Sequence, residues 1–161
     1  MLIREAQKVD YPSICNLFRS KDELFLVYPV AHFPLTISDI EQLASRRLAL
    51  TVIEVEKSIA GFANLYDLSP GKSAFIGNVI IEHTQRGKGF AKQLIKHMLM
   101  TAINVFKLPE VCVSVFSENT PAILLYHSFG FVPYALETRT DPEGQQVALI
   151  HMALNSHDFK I

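Results

Sequence analysis

The alternation of apolar and polar residues divides the chain into strands and helices. Apolar and β-branched runs predict strands near residues 2–4, 48–56, 59–68, 73–82, 111–115, 132–137 and 146–154. Apolar residues at helical spacing predict helices after Asp10, from residue 36 to 48, from 90 to 106 and from 120 to 129. Residues 20–35 are predicted to be irregular, because Pro29 and Pro34 interrupt them.

The connections between these elements predict the fold class. Tight turns join the strands between residues 48 and 82 into an antiparallel meander, whereas a long helix joins residue 82 to residue 111. A crossover of this length makes the two flanking strands parallel. We therefore expect a single α/β domain over residues 1–161, with a mixed, mostly antiparallel sheet of about six to seven strands flanked by about four helices.

Composition excludes several classes of protein. Hydrophobic residues make up 49% of the chain and charged residues 19%, which is typical of a globular domain. A net charge of −1 argues against general nucleic-acid binding. Neither a membrane-spanning run nor a signal-peptide pattern is present, so we expect a cytoplasmic protein. Cys15 and Cys112 lie too far apart in sequence for a metal pair, and no metal is expected.

A glycine-bearing turn between a strand and the longest helix is the first candidate site. Gly87 and Gly89 allow the backbone to approach a ligand closely, and the helix that follows presents free N–H groups at its start. From residue 86 to 107 the chain has five basic residues and no acidic one: Arg86, Lys88, Lys92, Lys96 and Lys107. These features predict a site for a polyanion.

Spacing excludes two common phosphate-binding motifs at this turn. A dinucleotide fingerprint requires a small residue where the chain has Lys92, and the Gly-Lys-Ser/Thr ending of a P-loop is absent. The segment Arg86-x-x-Gly89-x-Ala91 instead resembles the pyrophosphate-binding segment of the GNAT (Gcn5-related) N-acetyltransferases. A second motif of that family has its counterparts, in the same order along the chain, in Asn119, Ala122, Tyr126, Gly130 and Phe131.

The resemblance implies an acetyl-CoA-dependent N-acetyltransferase, and it assigns a role to each matching residue. The backbone of Val79, Ile80 and Ile81 would pair with the pantetheine arm, and Asn119 would bind the same arm. The pyrophosphate would lie against the turn formed by Arg86, Gly87, Lys88, Gly89, Phe90, Ala91 and Lys92. Tyr126 would donate a proton to the departing thiolate, since its hydroxyl is protonated at neutral pH.

By the same resemblance, the second substrate would be a primary amine of a small molecule, peptide or protein. The amine would attack directly in a ternary complex, and the enzyme would act as a monomer or homodimer. The alternative is a module that binds acyl-CoA as a sensor, or docks a partner, without turnover.

The residues that bind and deprotonate the amine are less well defined by the sequence. Phe25, Tyr28 and His32 lie in the predicted loop and either line the acceptor site or plug the core. In some family members, a glutamate five residues before the asparagine acts as the general base, and this chain has Ser114 at that position. Glu82, His32, Tyr28 or a water chain could replace that base. The remaining histidines, among them His83, His97, His127 and His151, are expected to be structural or exposed.

Overall fold

A seven-stranded sheet forms the centre of the protein. The computed structural model describes residues 1–160. The strands are β1 Leu2–Glu5, β2 Leu48–Val55, β3 Ser58–Ser69, β4 Ser73–Ile81, β5 Glu110–Phe116, β6 Val132–Thr140 and β7 Gln146–Asn155. Their order across the sheet is β1-β2-β3-β4-β5-β7-β6, and only β4 and β5 pair in parallel. The expected α/β fold with a mixed, mostly antiparallel sheet is confirmed.

Within residues 1–160, five α-helices accompany the sheet. They are α1 Tyr11–Cys15, α2 Lys21–Val27, α3 Ile37–Arg46, α4 Phe90–Met100 and α5 Thr120–Ser128. A single π-helical turn, Thr101–Val105, continues α4. No helix within residues 1–160 is long and apolar enough to cross a membrane.

The helix α2 corrects the prediction that residues 20–35 are irregular throughout. The Ser20 hydroxyl accepts a hydrogen bond from the backbone N–H of Glu23 at 3.1 Å and so caps the start of this helix. The helix ends at Val27, two residues before Pro29. Pro29 and Pro34 therefore lie beyond the helix, and only the segment after Val27 is irregular.

Asp10 occupies the N-cap position of α1, but its side chain makes no capping hydrogen bond to that helix. Its carboxylate accepts hydrogen bonds from the Arg4 guanidinium at 2.7 and 3.0 Å and from the Gln7 backbone N–H at 2.8 Å. The hydrogen bonds from Arg4 are the main reason that the pKa of Asp10 lies below its ordinary value. Because Arg4 also binds Glu54, this pair ties β1 to β2 and to the start of α1.

Two hydrophobic clusters pack on opposite faces of the sheet. One contains Leu94, Met98, Val113, Val115 and Tyr126, and the face it covers is called the α4 face here. The other packs α1, α2 and α3 on Val52, Phe62 and Ile80, and defines the α2 face. Side chains alternate along a strand, so Ser114, between Val113 and Val115, lies on the α2 face.

The parallel strands β4 and β5 separate at one end. Their pairing runs from Ser73 opposite Glu110 to Ile76 opposite Val113, and both strands continue beyond it. A bulge bends β4 directly after this point, since Asn78 and Val79 of β4 face the single residue Ala63 of β3. The sheet is therefore open between residues 77–81 and 114–116.

Candidate active site

The opening between β4 and β5 forms a cavity of about 730 Å³, called the through-sheet cleft here. Residues of both faces line it. On the α4 side these are Val79, Ile81, Gly87, Gly89, Phe90, Ala91, Lys92, Asn119 and Tyr126. On the α2 side they are Tyr28, Arg47, Tyr66, Phe75, Ser114, Glu137, Arg139 and His151. Two molecules can therefore reach one point in the sheet from opposite faces.

The glycine turn lies at the α4 side of the cleft and leads into α4. Gly87 and Gly89 have φ angles of +76° and +82°, which side chains rarely adopt, and Gly89 is the N-cap residue of α4. A Cβ atom at either position would meet no protein atom within 4 Å. The open space beside the backbone and the free N–H groups of the first helical turn suit an anionic ligand.

Two of the cations predicted to face that ligand bind within the protein instead. Arg86 donates from Nε to the carbonyl of Ile81 at 3.0 Å and forms an ion pair with Glu23 of α2. The Lys88 ammonium donates to the side chain of Gln85 at 3.0 Å, and Lys88 does not line the cleft. Arg86 thus ties the glycine turn to β4 and α2, and Lys92 is the lysine of the turn that lines the cleft.

Asn119 and Tyr126 lie at opposite ends of α5, and both line the cleft. Asn119 caps the helix, since its side-chain oxygen accepts a hydrogen bond from the N–H of Ala122 at 3.4 Å. The Tyr126 ring packs edge-on against Phe131, with 5.8 Å between the centroids. Among residues 1–160, no polar side-chain atom sealed from solvent lacks a partner. The Tyr126 hydroxyl, which has no hydrogen-bond partner within this range, therefore opens onto the cleft.

The protonation state of Tyr126 follows from its surroundings. Its side chain is 5% exposed, and this burial, with a smaller contribution from Tyr66, raises its pKa above the ordinary value of 10.0. The hydroxyl is thus protonated across the physiological range and can donate a hydrogen bond or a proton.

The α2 side of the cleft holds a hydrogen-bonded chain that sequence reasoning missed. Ser114 of β5 lies directly opposite His151 of β7, and its Oγ is 2.7 Å from Nδ1 of that histidine. Nε2 of His151 is 2.5 Å from the Glu137 carboxylate of β6. The sequence contains one indication of this chain, because Ser114 and His151 are polar residues inside otherwise apolar strands.

A buried polar network holds α2 at the edge of the cleft. The side chains of Asn64 and Asn78 bind each other at 2.8 Å, and Asn78 donates to the carbonyl of Val27 at 3.0 Å. Arg47 donates to Asn64 at 3.0 Å, and its guanidinium lies 5.3 Å from the Tyr28 ring centroid. This network fixes the position of Tyr28 at the mouth of the cleft.

The structure separates the three residues predicted to bind the acceptor. Tyr28 lines the through-sheet cleft. Phe25 stacks on Phe116, with ring centroids 4.7 Å apart, and borders a separate cavity of about 380 Å³ together with His32. Among the predicted bases, Glu82 and His32 do not line the cleft either, and Glu82 caps a turn at Thr84.

The sequence profile of the Acetyltransferase (GNAT) family matches residues 11–131, which is most of the chain. The chain belongs to this family. An uncharacterised N-acetyltransferase of Bacillus subtilis strain 168, YokL from prophage SPbeta, is 27% identical over 116 residues, covering 69% of this chain and 66% of that protein. The spermidine N(1)-acetyltransferase of Vibrio cholerae is 30% identical over 93 residues, covering 58% and 53%. The matches thus span about half to two thirds of these curated relatives.

Solved structures of GNAT proteins share the fold over the whole chain. The crystal structure of Vibrio cholerae spermidine N-acetyltransferase in complex with CoA and spermine has a TM-score of 0.82 to this chain. The two are 22% identical, and the match covers 98% of this chain and 96% of that one. Within residues 1–160, the GNAT domain holds no group of three histidine, cysteine or acidic side chains arranged to bind a metal ion.

Proposed function

We propose that this GNAT protein transfers an acetyl group from acetyl-CoA to a primary amine by direct attack in a ternary complex. The observation that carries the proposal is the through-sheet cleft, which is lined from both faces of the sheet. Acetyl-CoA would enter on the α4 side, while the amine would enter on the α2 side. Since both faces lead to one opening, the amine can meet the thioester without a covalent enzyme intermediate.

Each part of acetyl-CoA would have its own binding site on the α4 side of the cleft. The pyrophosphate would bind the N–H groups of the glycine turn, where Gly87 and Gly89 leave open space. The pantetheine arm would pair with the edge of β4 at Val79, Ile80 and Ile81, which β5 leaves unpaired. Asn119 would bind the arm from the start of α5.

Arg86 would act indirectly, by holding the turn against β4 and α2. Lys92, Phe90 and Ala91 would contribute the first turn of α4 to the pyrophosphate site. Lys88 would add to the positive field from outside the cleft.

Tyr126 would supply the proton that the leaving thiolate needs. The amine nitrogen forms a bond to the thioester carbonyl carbon, and the carbon–sulfur bond then breaks. The sulfur takes the proton of the Tyr126 hydroxyl, and the tyrosine regains one from the nitrogen of the intermediate. A donor with a raised pKa suits this role, because it is fully protonated before the reaction.

The acceptor is a primary amine of a small molecule, peptide or protein, and Tyr28 would contact it at the mouth of the cleft. Relatives named for spermidine and spermine make polyamines the first class to assay. The two free cysteines, Cys15 and Cys112, suit a reducing compartment such as the cytoplasm. The protein would act there as a monomer or homodimer.

The test is release of free thiol from acetyl-CoA in the presence of a panel of polyamines, amino acids, aminoglycosides and peptides. Acetylation of one amine, confirmed by the mass of the product, would support the proposal. Tight binding of acetyl-CoA without turnover on any amine would favour the sensor instead. Absence of binding would contradict both functions.

A further inference from the structure

The α2 side of the through-sheet cleft carries a chain of hydrogen bonds that leads outward to solvent. It runs from the Ser114 hydroxyl to His151 and then to the Glu137 carboxylate. Exposure increases along it, from 16% for the His151 side chain to 46% for that of Glu137. We propose that these three residues form a relay that removes a proton from the acceptor amine, a role that rests on the acetyl transfer proposed above.

The direction of each hydrogen bond in the relay follows from Glu137. The hydrogen bond with His151 lowers the pKa of Glu137, so the carboxylate is ionised and can only accept. In the neutral imidazole of His151, Nε2 therefore carries the hydrogen and Nδ1 presents a lone pair. The Ser114 hydroxyl donates to that lone pair. Its oxygen also lies within hydrogen-bonding reach of Tyr66, and it keeps a lone pair that can accept a proton from an ammonium group.

Other groups in the cleft are less suited to accept this proton. Arg47, Arg139 and Lys92 are cations without a free lone pair at neutral pH. Glu23 is already paired with Arg86. Asp67 lines the cleft as an exposed carboxylate but lies outside the hydrogen-bonded chain that leads to Ser114. Glu143, an exposed carboxylate of the β6–β7 hairpin, does not line the cleft and provides a matched control for Glu137.

The residues around His151 hold its ring in place, and the tyrosines among them do not change protonation state near neutral pH. Tyr134 stacks on the ring at 6.1 Å, and Phe75 meets it edge-on at 6.2 Å. Burial raises the pKa of Tyr134 to about 12 and also raises that of the nearby Tyr66. The charged neighbour on the other side is Arg139, 3.4 Å from Glu137.

The relay accounts for every proton that moves during the whole reaction. An N–H bond of the acceptor ammonium breaks, and its proton goes to the Ser114 oxygen while the Ser114 proton goes to Nδ1 of His151. The imidazolium so formed is paired with the Glu137 carboxylate, and it releases one proton to solvent to return to the neutral form with hydrogen on Nε2. The free amine then attacks the thioester, and the exchange at Tyr126 yields an amide and a thiol. One proton is released per turnover, as the overall reaction requires.

The test measures kcat/KM for the most active amine between pH 6 and 10 in Ser114→Ala, His151→Gln and the parent protein. We expect a loss of about 10²–10⁴-fold at pH 7, the usual contribution of a general base. The loss should shrink about tenfold per pH unit as the amine arrives already deprotonated. Ser114→Thr, which keeps the hydroxyl, should retain most of the activity. A merely structural role would lower the rate equally at all pH values.

Controls separate the relay from the proposed function and from folding. Acetyl-CoA affinity and the melting temperature should be unchanged in Ser114→Ala and His151→Gln. Glu137→Gln should reduce kcat/KM, whereas Glu143→Gln, outside the cleft, should leave it within about threefold. Parent-like activity of Ser114→Ala and His151→Gln at pH 7 would overturn the relay alone. Absence of turnover by the parent protein would overturn the proposed acetyl transfer and the relay with it.

Discussion

Two glycines with nearly the same backbone conformation allow the coenzyme site to be tested against a matched control. Gly89 begins α4 with φ +82°, and Gly144 has φ +83° in the β6–β7 hairpin. A Cβ atom at either position would meet no protein atom within 4 Å. The substitutions Gly89→Ala and Gly144→Ala therefore have the same effect within the free protein and differ only in what a ligand meets.

The expected loss of stability comes from the backbone alone. A non-glycine residue in the left-handed region costs about 1–2 kcal/mol. For a domain of this size, each kcal/mol lowers the melting temperature by about 2–4 °C. Both alanine variants should therefore melt about 2–8 °C below the parent protein.

Binding of acetyl-CoA should separate the two variants. In Gly89→Ala the added methyl group occupies space proposed for the pyrophosphate, and we expect Kd to rise at least about tenfold, equivalent to about 1.4 kcal/mol. Gly89→Glu adds bulk and negative charge and should abolish binding. Gly144→Ala should bind as the parent does, and at 100 times Kd the ligand should stabilise it by about 2.7 kcal/mol. Calorimetry that gives Gly89→Glu and Gly144→Ala the same affinity would refute the assignment.

Further predictions concern four single side chains. Tyr126→Phe should keep the melting temperature and acetyl-CoA affinity but lower kcat by about 10²–10⁴-fold, whereas nearly full activity would indicate a packing role. Phe25→Ala should lower the free energy of unfolding by about 2 kcal/mol, roughly half the cost for a fully buried phenylalanine, while Tyr28→Ala should raise the acceptor KM of the folded protein. Asp10→Asn should lose about 1.5–3 kcal/mol at pH 7, measured by urea unfolding. Because the pKa of Asp10 is depressed in the folded state, this difference should shrink as the pH falls below 3.8, and a constant difference would contradict it.

Features with a local signal in the sequence were predictable. The antiparallel meander, the crossover between β4 and β5 and the glycine turn follow from strand patterns, turn residues and connection length. The same holds for the end of α5, where Gly130 adopts the left-handed conformation that glycine favours after a helix, with φ +95°. These signals lie within a few residues of the feature that they determine.

The contacts that were not predicted join residues far apart in the chain. The ion pair of Arg86 with Glu23 joins residues 63 positions apart, and it engages a side chain that was predicted to bind the pyrophosphate. Ser114 and His151 are 37 residues apart and meet only because β5 and β7 pair in one particular register. A shift of one residue in that register would turn His151 to the α4 face, and single-strand patterns do not specify the register.

One residue links the opening of the sheet to the wall of the acceptor site. Asn78 stands in the apolar run of β4 and adopts φ +51°, a conformation that asparagine tolerates better than its β-branched neighbours. Its bulge bends β4 where the pairing with β5 ends. The same turn directs its side chain to Asn64 and to the carbonyl of Val27, where α2 ends next to Tyr28. Asn78, a polar residue in a buried strand, therefore opens the through-sheet cleft and holds α2 beside it.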